Sequence, residues 1–569
     1  MTSVAAIARS LPVGLLALAV AGCNPSPSGL PVTPEATPAT TPVAAASAPA
    51  CVPKGPPLAI PPRWHGRVFY EVFVRSFADS DGDGIGDLGG LTERLDYMND
   101  GDPSTTTDLG VTGIWLMPVT EAASYHGYDV TDYTAVERDY GDRAAMRHFV
   151  EAAHDRGIDV IVDFVINHTS RDHPWFEGSM EPGSAREDWY LWADERPPVV
   201  RSDGSRVWHE ADGRYYYGYF WEGMPDLNLA NAAVTAELDA VARFWLDDMG
   251  ADGFRLDAAK HLIEDGDRLE NVDGTFEWLA GFRDRIHATH PEALVLGEVF
   301  DATTVSSRYV RDGSLDLTFD FGLASSTVTS INAREAGLLN TALREVATSY
   351  PEDTLATFLT NHDQNRVASQ LAGDPAGLRL AAALLLTGPG VPFIYYGEEI
   401  GMTGAKPDER IRTPMRWEPT PPGFGFTTAT PWEAASVDPM GTDVATQAVD
   451  SGSLLSTYRS LIRLRAAHPA LLGGDLLPID GADRHLVAFL RSSGDAHALV
   501  VANLGLAAVR GPALTLPDGP LCGTPVLTAL LGPDDLAAPV ISSTGGFERY
   551  VPVAELASRE ILVIDLATR

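Results

Sequence analysis

Eight short apolar runs, rich in β-branched and aromatic residues, punctuate the chain at 68–74, 111–117, 158–164, 253–256, 294–297, 315–321, 355–359 and 392–396. Runs of this length and makeup suit strands that are covered on both faces. Between several of them the apolar period lengthens to that of a helix. Residues 144–156 form one such stretch, closed by Gly157, where glycine suits a left-handed C-terminal cap. In 235–249, Leu238, Val241, Trp245 and Met249 fall on one face at 3-4-4 spacing. A last helix is expected at 453–467, before Pro469. Alternating strand and helix signals predict an α/β fold, a parallel (β/α)₈ TIM barrel.

The alternation breaks in two places. After the third run, residues 169–224 show no clear helical period, yet they carry Trp208 and the stretch Tyr215-Tyr-Tyr-Gly-Tyr-Phe-Trp221. A long irregular segment in a compact domain is usually functional, so a small inserted domain beside the cleft is expected here. Beyond residue 475 the pattern turns to short alternating strands, such as 486–490 and 498–503, which predict a C-terminal antiparallel β-sandwich over 476–569. The barrel is then assigned to 63–168 and 225–475.

The first 62 residues follow neither pattern. Arg9 precedes an apolar stretch, 11–20, too short to span a bilayer, and Leu18-Ala-Val-Ala21-Gly22-Cys23 follows. This resembles a bacterial lipobox, in which cleavage after residue 22 leaves Cys23 as a lipid-modified N-terminus; an ordinary secretory signal is the alternative. Residues 24–62 are rich in Pro, Ala, Thr and Ser and read as an extended tether. The implied location is a membrane-anchored lipoprotein at the cell surface or in the periplasm, or else simple secretion. Export permits a disulfide, and the two cysteines left, Cys51 and Cys522, can pair in one way or remain separate thiols.

Length and charge narrow the function. A chain of 569 residues is long for one domain. Its net charge of −37 argues against nucleic acid and against electrostatic adhesion to anionic lipid, leaving the lipid anchor as the one membrane contact. Eleven Trp, 17 Tyr and 20 Phe are enough to line a sugar cleft.

Four segments place chemistry at the ends of the apolar runs: Asp163-Phe-Val-Ile-Asn167-His168, Gly253-Phe-Arg255-Leu-Asp257, Gly297-Glu298-Val-Phe300 and Thr360-Asn361-His362-Asp363. A barrel builds its active site where strands end. Carboxylates on rigid strand ends are what glycoside hydrolysis requires, one as acid and one as nucleophile. After the first run, Asp79-Ser-Asp81-Gly-Asp83-Gly-Ile85-Gly-Asp87 sets carboxylates at every second position, with glycines for tight turns. Hard oxygen ligands at this density suit Ca²⁺, and a solvated acidic turn is the bland alternative.

The four segments, in this order, resemble the α-amylase family of glycoside hydrolases (family 13), and the resemblance runs from Trp64 to the C-terminus. It is strengthened by Tyr125-His126-Gly-Tyr128-Asp129, by Met224-Pro-Asp-Leu-Asn228 and by Lys406-Pro-Asp408-Glu-Arg-Ile-Arg412-Thr-Pro-Met-Arg-Trp417. The Met-Pro-Asp-Leu-Asn form is similar to the group between oligo-1,6-glucosidases and neopullulanases, which contains bacterial α-amylases. The resemblance implies Asp257 as nucleophile, Glu298 as general acid/base and Asp363 as transition-state stabiliser. It implies that His126, Tyr128, His168, Arg255, Lys260, His261, His362, Asp408 and Arg412 bind substrate. It likewise implies a calcium loop of Asp79, Asp81, Asp83, Ile85 and Asp87. A second metal at Asn167, Asp226 and the His261 carbonyl joins barrel and insert in many α-amylases, though this group does not always keep it. In related α-glucosidases a Val after the nucleophile accompanies α-1,6 cleavage, whereas Ala258 stands here, which points to α-1,4 bonds. The expected partner is an α-glucan polysaccharide or oligosaccharide, bound by a monomer, with endo action on starch, glycogen or maltooligosaccharides. The rival activities are a 4-α-glucanotransferase, an α-glucosidase or a trehalose-forming transglycosylase. A non-catalytic carbohydrate-binding protein is the remote rival, since it would be expected to lose carboxylates that are all present here.

Overall fold

In the computed structural model, residues 62–567 are described. Cys23, Cys51, the apolar leader and nearly all of the tether lie outside them. Cys522 is disulfide-bonded.

Eight strands close a parallel barrel: β1 (Phe69–Val72), β2 (Gly113–Leu116), β3 (Asp159–Phe164), β4 (Gly253–Leu256), β5 (Leu294–Gly297), β6 (Leu317–Phe319), β7 (Leu355–Thr357) and β8 (Val391–Tyr395). Each strand neighbours the next in sequence, and β8 pairs back onto β1. The eight apolar runs coincide with these strands. Side chains alternate across a strand, so inward residues recur at every second position. Phe69, Trp115, Ile161, Leu296, Phe319 and Phe393 fill the barrel interior as one apolar cluster. Gly113 makes room for it: a Cβ there would sit 2.6 Å from the Phe69 ring. The next inward position along β1, β3 and β4 is charged: Glu71, Asp163 and Arg255. Asp163 and Arg255 are register partners on adjacent strands. The interior therefore changes from apolar to ionic as it rises toward the C-terminal mouth.

The helices follow their apolar faces. Arg143–His154 is capped by the Asp142 side chain, which accepts from the Ala144 and Ala145 amides. Gly157 beyond it takes φ +73, as a left-handed cap requires. The helix expected at 235–249 runs over Ala232–Arg243 and then widens into one π turn, Phe244–Asp248. The wider turn keeps Trp245 buried, where its indole N–H donates to the Tyr133 carbonyl at 3.0 Å. Ser453 caps the helix Leu454–Ala467.

Between β3 and β4 the insert forms a short helix, Pro174–Ser179, and a three-stranded antiparallel sheet of Trp192–Ala193, Trp208–Ala211 and Arg214–Tyr217. Phe176, stacked on Trp192 and edge-on to Tyr216, is the centre of its packing. After β2, strands Thr120–Ala122 and Val130–Val136 form a hairpin that presents residues 125–129 at its tip. Nothing in the apolar pattern predicted this hairpin.

At the C-terminal end a five-stranded antiparallel sheet, including Leu486–Ser493 and Ala496–Asn503, faces a three-stranded one. Alternate residues explain why the central strands read as continuously apolar. Leu486, Ala488, Leu499 and Val501 pack between the two sheets, while Val487, Phe489, Val500 and Ala502 join the main core with the barrel. Two fully buried arginines stitch this junction. Arg465, on the last long helix, donates to the carbonyls of Leu386, Gly388 and Gly390, and Arg491, on the sheet, donates to the same Gly388 carbonyl. Those carbonyls lie at the end of the helix Pro375–Thr387 and in the turn from it into β8.

Candidate active site

The ionic layer gathers at the C-terminal mouth. Arg255 is 0% exposed and sits at its centre. Its Nη1 donates to Asp163 Oδ1 at 2.8 Å and to Asp257 Oδ1 at 2.7 Å, and Nη2 lies 2.8 Å from Glu298 Oε2. Residues 255 and 257 alternate onto one face of β4, and Glu298 follows the end of β5, so three strands aim carboxylates at one guanidinium. Ala258 takes φ +49, and this left-handed turn points its amide at Glu298 Oε2, 3.0 Å away.

Asp363 faces a second set of donors. Arg412 Nη2 donates to Asp363 Oδ1 at 2.9 Å and to Asp408 Oδ2 at 3.2 Å. His362 Nε2 lies 3.2 Å from Asp363 Oδ2 and 2.6 Å from the Tyr128 hydroxyl. That hydroxyl also donates to Asp163 Oδ2 at 3.1 Å, which links the two sets. His126 stacks near Tyr128 and accepts its amide through Nδ1 at 3.1 Å. His168 stands between Asn167 Oδ1, at 3.0 Å, and the Tyr128 carbonyl, at 3.2 Å.

These environments divide the acids. Burial raises the carboxyls of both Asp257 and Glu298. Arg255 opposes that shift at both, but Glu298 also meets the negative charges of Asp257 and Asp363, which favour its protonated form. Asp257 also meets the charge of Asp363, but it gains a direct hydrogen bond from Arg255 and the attraction of His362. At Asp363 the burial penalty is outweighed by His362 and Arg412, which hold the carboxyl far below the ordinary range. Burial pushes the His168 imidazole down to about 4. Burial raises the Tyr128 phenol as well, and it remains a donor.

Lys260 and His261 lie further out. Lys260 pairs with Glu270 at 2.8 Å and with Asp301 at 3.4 Å. His261 stacks on Tyr219 of the insert, with ring centroids 3.9 Å apart. Its carbonyl accepts from Asn167 Nδ2 at 2.7 Å. Asp226 is buried beside them, its Oδ1 accepting from the Tyr219 amide at 2.9 Å and its Oδ2 without a hydrogen bond. Burial and then repulsion from Glu264 raise its carboxyl.

In the acidic loop, ligand atoms of Asp79, Asp81 and Asp87 lie within 4.8 Å of one another. Asp83 Oδ1 accepts from the Ile85 amide at 2.7 Å, as Asp81 Oδ1 accepts from the Asp83 amide at 3.1 Å. The Asp83 amide stabilises the Asp81 anion, but burial and the neighbouring carboxylates prevail and raise it. Hard oxygens that repel one another fit a Ca²⁺ ion.

Two participants escaped the sequence reading as site residues. Asp163 opens a motif already singled out, so its position on a strand end was the available signal. Glu71 lies within the strand Phe-Tyr-Glu-Val, where a lone carboxylate in an apolar run was the signal.

Comparison with known proteins agrees with this geometry. A model of the alpha amylase catalytic domain matches residues 71–474. Alpha-amylase 3 of Dictyoglomus thermophilum is 37% identical over 453 residues, covering 78% of this chain and 85% of the relative. The crystal structure of an α-amylase from H. orenii superposes with a TM-score of 0.73 at 38% identity, covering 88% of this chain and 99% of that one. A trehalose synthase of Thermus thermophilus is 32% identical over 502 residues, 78% of this chain and 50% of the relative. With a parallel barrel, an Arg-linked pair of carboxylates at its mouth and this extent of likeness, the chain belongs to the α-amylase family of glycoside hydrolases.

Proposed function

We propose that the chain is a retaining α-1,4-glucan hydrolase, an endo-acting α-amylase for starch, glycogen or maltooligosaccharides. The observation that carries this reading is the shared guanidinium: Asp257 and Glu298 are both bound to Arg255. That arrangement suits the close carboxyl pairing, about 5–5.5 Å, of retaining glycosidases rather than the wider gap of inverting ones. Asp257 attacks the anomeric carbon while Glu298 gives its proton to the departing glycosidic oxygen. Glu298 then takes a proton from water as that water attacks the glycosyl ester, which frees Asp257 and retains configuration. Asp363, kept anionic, stabilises the positive charge that develops on the sugar.

Asp257→Asn should abolish turnover with the fold intact. Glu298→Gln should cripple starch hydrolysis but spare an activated glycosyl fluoride, which leaves without a proton. Equal losses on both substrates would remove Glu298 from the acid role. Ala258 supports α-1,4 specificity, and faster cleavage of isomaltose than of maltotriose would overturn it.

Transfer to a sugar instead of water is the second reading. Phe300, two residues beyond the acid, is 64% exposed with its ring edge-on to Phe321, a free platform for an acceptor sugar. Chromatography after incubation with maltotriose separates the readings: shorter sugars alone mark hydrolysis, whereas longer ones, formed together with shorter leaving sugars, mark transfer.

Three further assignments belong to this proposal. Asp79, Asp81, Asp83, Ile85 and Asp87 would hold a structural Ca²⁺, a reading supported by the convergence of Asp79, Asp81 and Asp87. Asp226, Asn167 and the His261 carbonyl would be the ligands of any second ion. Lipidation at Cys23 would place the enzyme at the bacterial membrane, and Cys23→Ser should release it without altering its specific activity.

A further inference from the structure

We infer that Glu71, on β1, is a positioning residue for this hydrolysis: it holds the His362 ring doubly protonated, so that one N–H is spent inward on Glu71 and the other faces Tyr128 and Asp363. The inference rests on the glycosidase reading of the site.

Hydrogen-bond accounting leads there directly. Glu71 is 1% exposed, and its Oε1 lies 2.5 Å from His362 Nδ1. A carboxylate oxygen accepts, so Nδ1 must carry hydrogen. On the far side of the ring, Nε2 is 2.6 Å from the Tyr128 hydroxyl. That hydroxyl spends its proton on Asp163 Oδ2 and offers His362 only a lone pair. Asp363 Oδ2, 3.2 Å from Nε2, is an acceptor as well. Nε2 must therefore carry hydrogen too, and a ring with both nitrogens protonated is a cation.

The charges around the ring agree. Glu71 faces it from β1, Asp163 from β3, Asp257 from the end of β4, and Asp363 from its own loop, with Arg255 acting on those three aspartates behind them. From β2 the Trp115 ring meets it edge-on, and Arg412 donates to the His362 carbonyl at 3.0 Å. Burial alone would lower the imidazole pKa, but attraction to Asp363 and Glu71 outweighs it and raises it to about 9. Without Glu71 the ring would have no acceptor at Nδ1 and one fewer anion. Its neutral form could then turn a lone pair toward Asp363, which would repel it.

Glu71→Gln tests this, because glutamine keeps the shape and an acceptor oxygen while removing the charge. The substrate is α-maltosyl fluoride, whose leaving group needs no proton from Glu298. The alkaline limb of its kcat/KM profile therefore reports His362. The wild-type limb is expected near pH 9. In Glu71→Gln it should fall by about one pH unit or more, the effect of one close charge. A limb that stays in place, whether or not activity drops, overturns the inference and leaves Glu71 a merely structural residue. A wild-type enzyme that cannot turn over the fluoride at all refutes the glycosidase reading instead. A second measurement needs no Glu71 variant: ¹⁵N-histidine NMR of the wild type, with the His362 signals assigned by their absence in His362→Gln. A neutral His362 ring at pH 7 would overturn the inference, and two protonated nitrogens would support it.

Discussion

Arg255→Lys probes the centre of the site with little change in charge. The guanidinium serves three carboxyls at once: Asp163 at 2.8 Å, Asp257 at 2.7 Å and Glu298 at 2.8 Å. A lysine ammonium is a single point on a flexible stem and cannot reproduce that planar fork. At least two charge-assisted hydrogen bonds should be lost, each worth about 1.5–3 kcal/mol. Together that is about 3–6 kcal/mol, shared between stability and the transition state, and one factor of ten in rate is about 1.36 kcal/mol. A fall in kcat/KM of about 10²- to 10⁴-fold is therefore expected on a chromogenic maltooligosaccharide. The pH profile supplies the sharper check. Arg255 pulls down both carboxyls that burial has raised. Losing its hydrogen bonds must push both upward, so both limbs of the kcat/KM profile should move to higher pH. A loss below about tenfold, or a large loss with neither limb displaced, would refute the account of Arg255 as the group that holds both carboxyls down.

Three other outcomes follow from the geometry. Ala258 sits at φ +49, where a β-branched side chain is strained, so Ala258→Val should lower the unfolding free energy by about 1–2 kcal/mol in urea titrations; an unchanged midpoint would show that the turn relaxes freely. Chelation should lower the melting temperature, since a cation at a hundred times its Kd stabilises by about 2.7 kcal/mol. Asp81→Ala should abolish that sensitivity, and a chelator-insensitive enzyme free of metal by elemental analysis would exclude the ion. A hydrogen bond to Asp316 raises the His287 pKa above its ordinary value, so the pair stabilises the fold fully below the unfolded pKa, about 6.5, and loses that contribution as pH rises through the folded value. The stability gap between wild type and His287→Gln should therefore be wider in acid than in mild alkali, and an equal gap would reject the assignment.

The barrel strands were legible because each is a short apolar run and four of them end in a functional residue, a purely local signal. Asp257, Glu298 and Asp363 could be picked out on the same grounds. What stayed hidden depends on contacts between distant segments. Glu71 gains meaning only when the barrel closes and brings His362, on the loop after β7, within reach of β1. The π turn at Phe244–Asp248 answers to the Tyr133 carbonyl, more than a hundred residues away, and no helical period could announce it. The hairpin that presents His126 and Tyr128 has shifts of register between its strands, which blur the alternation that would have marked it. In the acidic loop the every-second-residue pattern named five ligands, and the fold brings the carboxylates of three of them, Asp79, Asp81 and Asp87, together.

The arginines at the base of β8 bear on how this enzyme could be taken apart. Arg491, from the C-terminal sheet, and Arg465, from the last long helix, share the Gly388 carbonyl. A truncation after residue 475 would remove one donor and open the other to water. The turn feeding β8 would lose its clamp, and the far end of β8 leads into the segment that carries Asp408 and Arg412. The sheet is therefore no accessory module that can be exchanged for another by shape alone. A chimera would have to supply an arginine of the same reach, and without one its damage should surface at the opposite end of the barrel, as weakened sugar binding.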